Sequence, residues 1–167
     1  MNIKNIYKSE KGIGLVETIL ALGIAIIVIT ALVSLALFTL RSSQQSKYLL
    51  EGSKLANQEL EVVRAYRESV PWGTFYASMR SCDTSDCYIN VTYGPPTTYS
   101  VATGTEDLGV SAVNLNRYIR VTKPDGSALE DATVESVVKV SVTVQWTIGA
   151  QQRYAHTYTH ISNWQGQ

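Results

Sequence analysis

The sequence predicts an α+β protein: a long N-terminal α-helix, with a transmembrane half and an amphipathic half, packed on an antiparallel β-sheet. Three observations carry this. No charged residue occurs from Thr18 to Leu40, where Ile, Leu, Val and Ala dominate. Small and apolar residues recur at helical spacing from Leu49 to Val63, and valines alternate with polar residues from Val134 to Ile148. With 167 residues and a formal net charge of zero, the chain has room for one modest domain beside the helix and exerts no general pull on nucleic acid.

The apolar run comes first in the chain and sets the topology. At about 1.5 Å per residue, Thr18 to Leu40 extends about 35 Å as a helix, against a hydrocarbon core of about 30 Å. Lys4, Lys8 and Lys11 precede it, opposed only by Glu10, so the N-terminus stays in the cytoplasm and the C-terminal part lies outside. A cleaved secretory signal is the competing explanation, but its apolar region spans about 7 to 15 residues and ends at a small-residue site. Ser34-Leu35-Ala36 imitates that site poorly, because Leu37, Phe38 and Leu40 still follow.

Glu17 does not suit a plain anchor. A carboxylate at the centre of a membrane helix costs about 2.5 to 3.5 kcal/mol and less near the interface. It either faces headgroups and water or has a cationic partner.

Lys11-Gly12 followed by Ile13-Gly14-Leu15-Val16-Glu17 and the long apolar helix resembles the N-terminus of type IV pilins and pseudopilins. The resemblance covers residues 8 to about 40. It implies a leader, residues 1 to 12, removed by a prepilin peptidase between Gly12 and Ile13, followed by methylation of the new N-terminal Ile13. Glu17 is then the fifth mature residue, as in the family, whereas cutting after Gly14 would make it the third. Glycine before the cut leaves the backbone unobstructed for a protease cleft. The resemblance also supplies a partner for Glu17, the Ile13 amine of a neighbouring subunit, so that the pair would favour correct register in a filament. Ile13 replaces the usual phenylalanine, Gly14 the usual threonine, and no proline interrupts the apolar helix, which leaves the bend of major pilins open; Gly23 is the place where the helix could weaken.

Residues 13 to 40 are thus expected to form the transmembrane or filament-core helix, and residues 41 to 69 its amphipathic half. Leu49, Gly52, Ser53, Ala56, Leu60 and Val63 form the buried stripe. Arg64 and Arg67 follow Glu61 and Glu59, and the Glu61–Arg64 spacing supports an exposed face. Val70-Pro71 marks the stop.

Residues 70 to 167 read as an extracytoplasmic β-rich domain of strands and loops. The clearest strand is Val134 to Ile148. Gly149-Ala150-Gln151-Gln152 turns the chain, and Arg153 to Ile161 returns as the hairpin partner. Shorter strands are expected at Tyr88 to Tyr93 and Tyr118 to Thr122, punctuated by Gly94-Pro95-Pro96 and Pro124-Asp125-Gly126. Residues 94 to 117 lack periodicity and read as a long loop with room for one short strand.

Cys82 and Cys87 bracket four residues and lie outside the cytoplasm by the topology above, so a disulfide is expected. A metal site would need two further ligands, and free thiols are the remaining alternative. His156 and His160 share a strand face with Tyr154 and Tyr158, but i and i+4 on a strand are about 13 Å apart, too far for one zinc ion, which favours packing or cross-strand pairing. Asp83, Asp86, Glu106, Asp107, Asp125, Glu130 and Asp131 include possible calcium ligands, yet nothing in their spacing fixes a site, and solvated loop acids are the simpler reading. Asn90-Val91-Thr92 matches a glycosylation acceptor inside a predicted strand and carries no weight.

No nucleophile elbow, zinc-protease helix, P-loop or dinucleotide glycine pattern is present, so no catalytic residue, cofactor or metal is expected. The resemblance implies a structural subunit of a type IV pilus or type II secretion pseudopilus. Its implied partners are other pilin subunits, the prepilin peptidase, an inner-membrane assembly platform and the bilayer before assembly. Modest length, tyrosine richness and the short internal cysteine pair favour a minor subunit; a DNA-uptake component is the further apparatus left open, and apart from it nucleic acid is not an expected partner. The contrasting expectation is a permanently membrane-anchored extracytoplasmic binding module that is neither processed nor polymerised.

Overall fold

The computed structural model describes residues 10–109, 113–129 and 135–164, with side chains in the first helix described from Gly14 onward. Helix α1 (Glu10–Ser69) is unbroken and ends at the predicted Val70-Pro71 stop. The chain divides into two compact units between Lys47 and Tyr48. In the described part of the first, α1 is exposed on every side.

The second unit is α+β, with the C-terminal part of α1 packed on an antiparallel sheet. From this stretch Gly52, Ala56, Leu60 and Val63 are buried as the stripe predicts, and Tyr66 extends it. Leu49 is 49% exposed, because the face turned to the sheet runs through half-buried Tyr48 and through Gly52, beneath Trp146, and leaves position 49 to one side. The charged residues also differ from expectation. Glu61 and Arg64 form the exposed i, i+3 pair, but Glu59 and Arg67 are buried. The Arg67 guanidinium lies 5.1 Å from the centre of the Trp72 ring, and its Nη1 donates to the Val70 carbonyl at 3.3 Å. A cation in the last helical turn also suits the C-terminal end of the helix dipole.

A second helix, α2 (Trp72–Met79), occupies part of the stretch read as strands and loops. Its buried residues Trp72, Phe75, Tyr76 and Met79 have i, i+3, i+4, i+7 spacing. Phe75 packs at 5.6 Å from both Tyr66 and Trp72, and the Trp72 indole N–H donates to the Glu135 carbonyl. A 3-10 turn (Arg80–Cys82) then leads to the Cys82–Cys87 disulfide, as expected from the cysteine spacing.

The sheet contains β1 (Cys87–Thr92), β2 (Thr98–Thr103), β3 (Glu106–Asp107), β4 (Asn116–Thr122), β5 (Val137–Ile148) and β6 (Gln151–Ser162). Its order is β2-β1-β4-β5-β6, with β3 paired on β4, and every described pairing is antiparallel. The expected loop over 94–117 therefore holds two strands. β2 pairs with β1 over its whole length, but only Tyr99 and Val101 supply apolar alternation, which is too short a signal to read. Val134 lies outside the described residues, and β5 begins at Val137. Val138, Val140, Val142, Val144 and Trp146 face the core as predicted, whereas Ile148 at the strand end is 38% exposed. The turn into β6 needs only Gly149 and Ala150, with Gly149 at φ 61°, so Gln151 and Gln152 already belong to the strand.

Helix and sheet are joined by a buried charge cluster. Arg117 of β4 approaches Glu59 of α1 at 2.7 Å, and its Nε donates to Glu106 at 3.0 Å. Arg117 Nη1 also donates to the Leu55 carbonyl at 3.3 Å. Burial pushes the Glu59 carboxyl above its ordinary value; Arg117 opposes this and Glu106 adds to it.

Candidate functional site

The surface with the strongest functional signal is the apolar stretch of α1. Leu15, Ile19, Ile27, Leu35 and Phe38 are each more than half exposed, and Phe38 reaches 70%. Such a surface has no stable place in water. This one N-terminal helix is long and apolar enough to span a membrane.

Its backbone and hydroxyl chemistry fit a nonaqueous setting. The Thr18 hydroxyl donates to the Leu15 carbonyl and the Thr39 hydroxyl to the Leu35 carbonyl, each at 2.9 Å. The Thr30 hydroxyl is shared between the Ile26 and Ile27 carbonyls. Each of these donors is thus satisfied inside the helix, as a hydrocarbon surrounding demands. Hydropathy and motif spacing do not single out these threonines, although polar residues within an uncharged run are themselves a signal.

Glu17 projects from the exposed surface near the start of this stretch. Gly12 and Ile13 lie in the first turns of α1; their backbone is helical, not extended as a protease cleft would require. Helix ends open at little cost, so an extended conformation there requires loss of only terminal turns. Residues 1–9, most of the expected leader, lie outside the described residues. A side chain placed on Gly14 or Gly23 would meet nothing within 4 Å, so both positions are open to close approach by another helix.

No known protein-family model, curated protein or solved structure matches this chain. The architecture itself is pilin-like: a long N-terminal apolar helix whose C-terminal part packs on an antiparallel sheet.

The other candidate residues are dispersed. Among the described residues, no group of three or more His, Cys, Asp or Glu could hold a metal ion. Asp83 accepts from the Leu129 amide, Asp86 from Arg120, Asp107 from the Gly109 amide and Asp125 from Ser127. Two hydrogen bonds from Ser127 hold the Asp125 carboxyl below its ordinary value. Glu130 and Asp131 lie outside the described residues. His156 pairs across strands with Thr143, its Nδ1 3.2 Å from the hydroxyl, while the Tyr158 ring stands between His156 and His160. This is the cross-strand pairing expected for that stripe.

Proposed function

We propose that the chain is a non-enzymatic pilin-like structural subunit, inserted in the inner membrane as a precursor and then assembled into a type IV pilus or type II secretion pseudopilus-like filament. The observation that carries this reading is the exposed apolar surface of α1 in a chain whose C-terminal unit already has its own core. In the bilayer, lipid covers that surface. In a filament, the same surface packs against helices of other subunits, so extraction from lipid exchanges one apolar contact for another.

In this reading a prepilin peptidase hydrolyses the Gly12–Ile13 peptide bond, and the released Ile13 amine is methylated. The carboxylate of Glu17 on one subunit then pairs with the Ile13 ammonium of another at an inner-membrane assembly platform. The residue pattern from Lys11 to Glu17 supports this assignment. Mass spectrometry of protein recovered from membranes tests it: loss of residues 1–12 and one added methyl group on Ile13 are expected. An intact N-terminus would overturn the processing step and leave a permanently anchored extracytoplasmic binding module.

A further inference from the structure

The face of the sheet turned away from α1 carries a depression with no part in the ion pair or apolar helix described above. Strand alternation places Tyr118 of β4, Thr143 and Gln145 of β5, and Gln152, Tyr154 and His156 of β6 on that face. These six residues line a depression of about 290 Å³. Its sides are aromatic: Tyr118 and Tyr154 stand on strands flanking β5, opposite Thr143 and Gln145, which sets them about 12 Å apart on the diagonal, and Tyr154 is 69% exposed.

The floor is made of amides and a hydroxyl. Gln152 Nε2 donates to Gln145 Oε1 at 3.1 Å, which leaves Gln145 Nε2 to donate and Gln152 Oε1 to accept. An adjoining depression of about 420 Å³ shares this glutamine pair and adds Asn114 and Asn116. The two together suit a ligand longer than one ring.

Lining chemistry selects the ligand class. Among the described residues, no carboxylate, lysine or arginine lines either depression, and apart from His156 the lining is amide, hydroxyl, aromatic and aliphatic, so little there compensates the desolvation of an ionised ligand. A purely apolar ligand would strand the amides without partners. A sugar offers hydroxyls that both donate and accept, matching amides, together with C–H faces that rest on aromatic rings. We propose that this face binds a neutral oligosaccharide, with Tyr118 and Tyr154 stacking on its pyranose rings and Gln145 and Gln152 hydrogen-bonding its hydroxyls. The site lies wholly within the C-terminal unit and does not depend on leader removal.

The test uses the full chain in amine-oxide micelles, because glycosidic detergents would compete. Saturation-transfer NMR is recorded with cellotriose, maltotriose and tri-N-acetylchitotriose, alongside oligothymidylate and polygalacturonate. Transfer to at least one neutral trisaccharide is expected. Its affinity should fall about tenfold or more in both Tyr154→Ala and Gln145→Ala, while Tyr154→Trp, which keeps a stacking ring, and Tyr93→Ala, at a tyrosine outside the depression, should retain it. Transfer to none of the three, binding indifferent to both alanine variants, or binding of the anionic polymers alone would overturn the proposal.

Discussion

Gly52 of α1 lies directly beneath Trp146 of β5: a Cβ on Gly52 would stand 2.9 Å from Trp146 Cζ3 and 3.2 Å from the Ala155 Cβ. The helix can approach the sheet this closely only because position 52 has no side chain. Gly52→Val therefore overpacks the contact and should destabilise the C-terminal unit by about 1 to 3 kcal/mol, measured by urea denaturation. Unchanged stability would mean that the ring simply moves aside.

Arg117 compensates two acids, one of them almost fully buried. Arg117→Leu leaves Glu59 without its cation and should cost about 3 to 5 kcal/mol. Glu106→Gln should cost less, since Glu106 is partly exposed and Arg117 keeps Glu59. Denaturation midpoints of the two variants give the order.

Stability should also depend on the protonation of Glu59. The unfolded carboxyl gives up its proton at its ordinary value, while the folded one holds it to higher pH. Between those two values the folded state binds more protons, so this residue makes stability decline as pH rises through the window and restores it as pH falls. Denaturation of the native chain and Glu59→Gln over a pH series should show that component of the slope only in the native chain.

The Cys82–Cys87 bridge closes a short loop and should contribute about 2 kcal/mol in the chain-entropy description. Its loop also aligns Asp86 with Arg120, at 2.8 Å, and Asp83 with the Leu129 amide, at 3.0 Å. The double variant Cys82→Ser/Cys87→Ser should remain folded, with faster amide exchange at Leu129 than in the native chain.

Glu17→Ala should leave membrane insertion and leader removal unchanged while abolishing entry into filaments. Immunoblots of membrane and sheared-filament fractions separate the two steps. Normal incorporation would remove the ion pair from the proposed assembly.

The long helix and the β5–β6 hairpin are legible in the sequence because each repeats one period over many residues. Alternation alone places the valines of β5 on the core face. Helix α2 is harder to read, although Trp72, Phe75, Tyr76 and Met79 carry helical spacing; eight residues behind Pro71 give that period only two turns in which to show itself. Glu59 resembles a surface acid because helical spacing shows only near neighbours. Its cation arrives from β4, and a sequence does not display which distant strand will lie against a helix. The tyrosine and glutamine depression is hidden for the same reason, since three strands contribute to it.

The inward turn of the Thr18, Thr30 and Thr39 hydroxyls has a mechanical consequence. A rod coated mainly with methyl groups offers neighbours ample adhesion but few directional stops, so copies lying side by side would glide and rotate with little penalty. Order along such a bundle would then have to come from a sparse landmark, and among the described residues from Gly14 to Leu40 Glu17 carries the one acidic or basic side chain able to act as a detent.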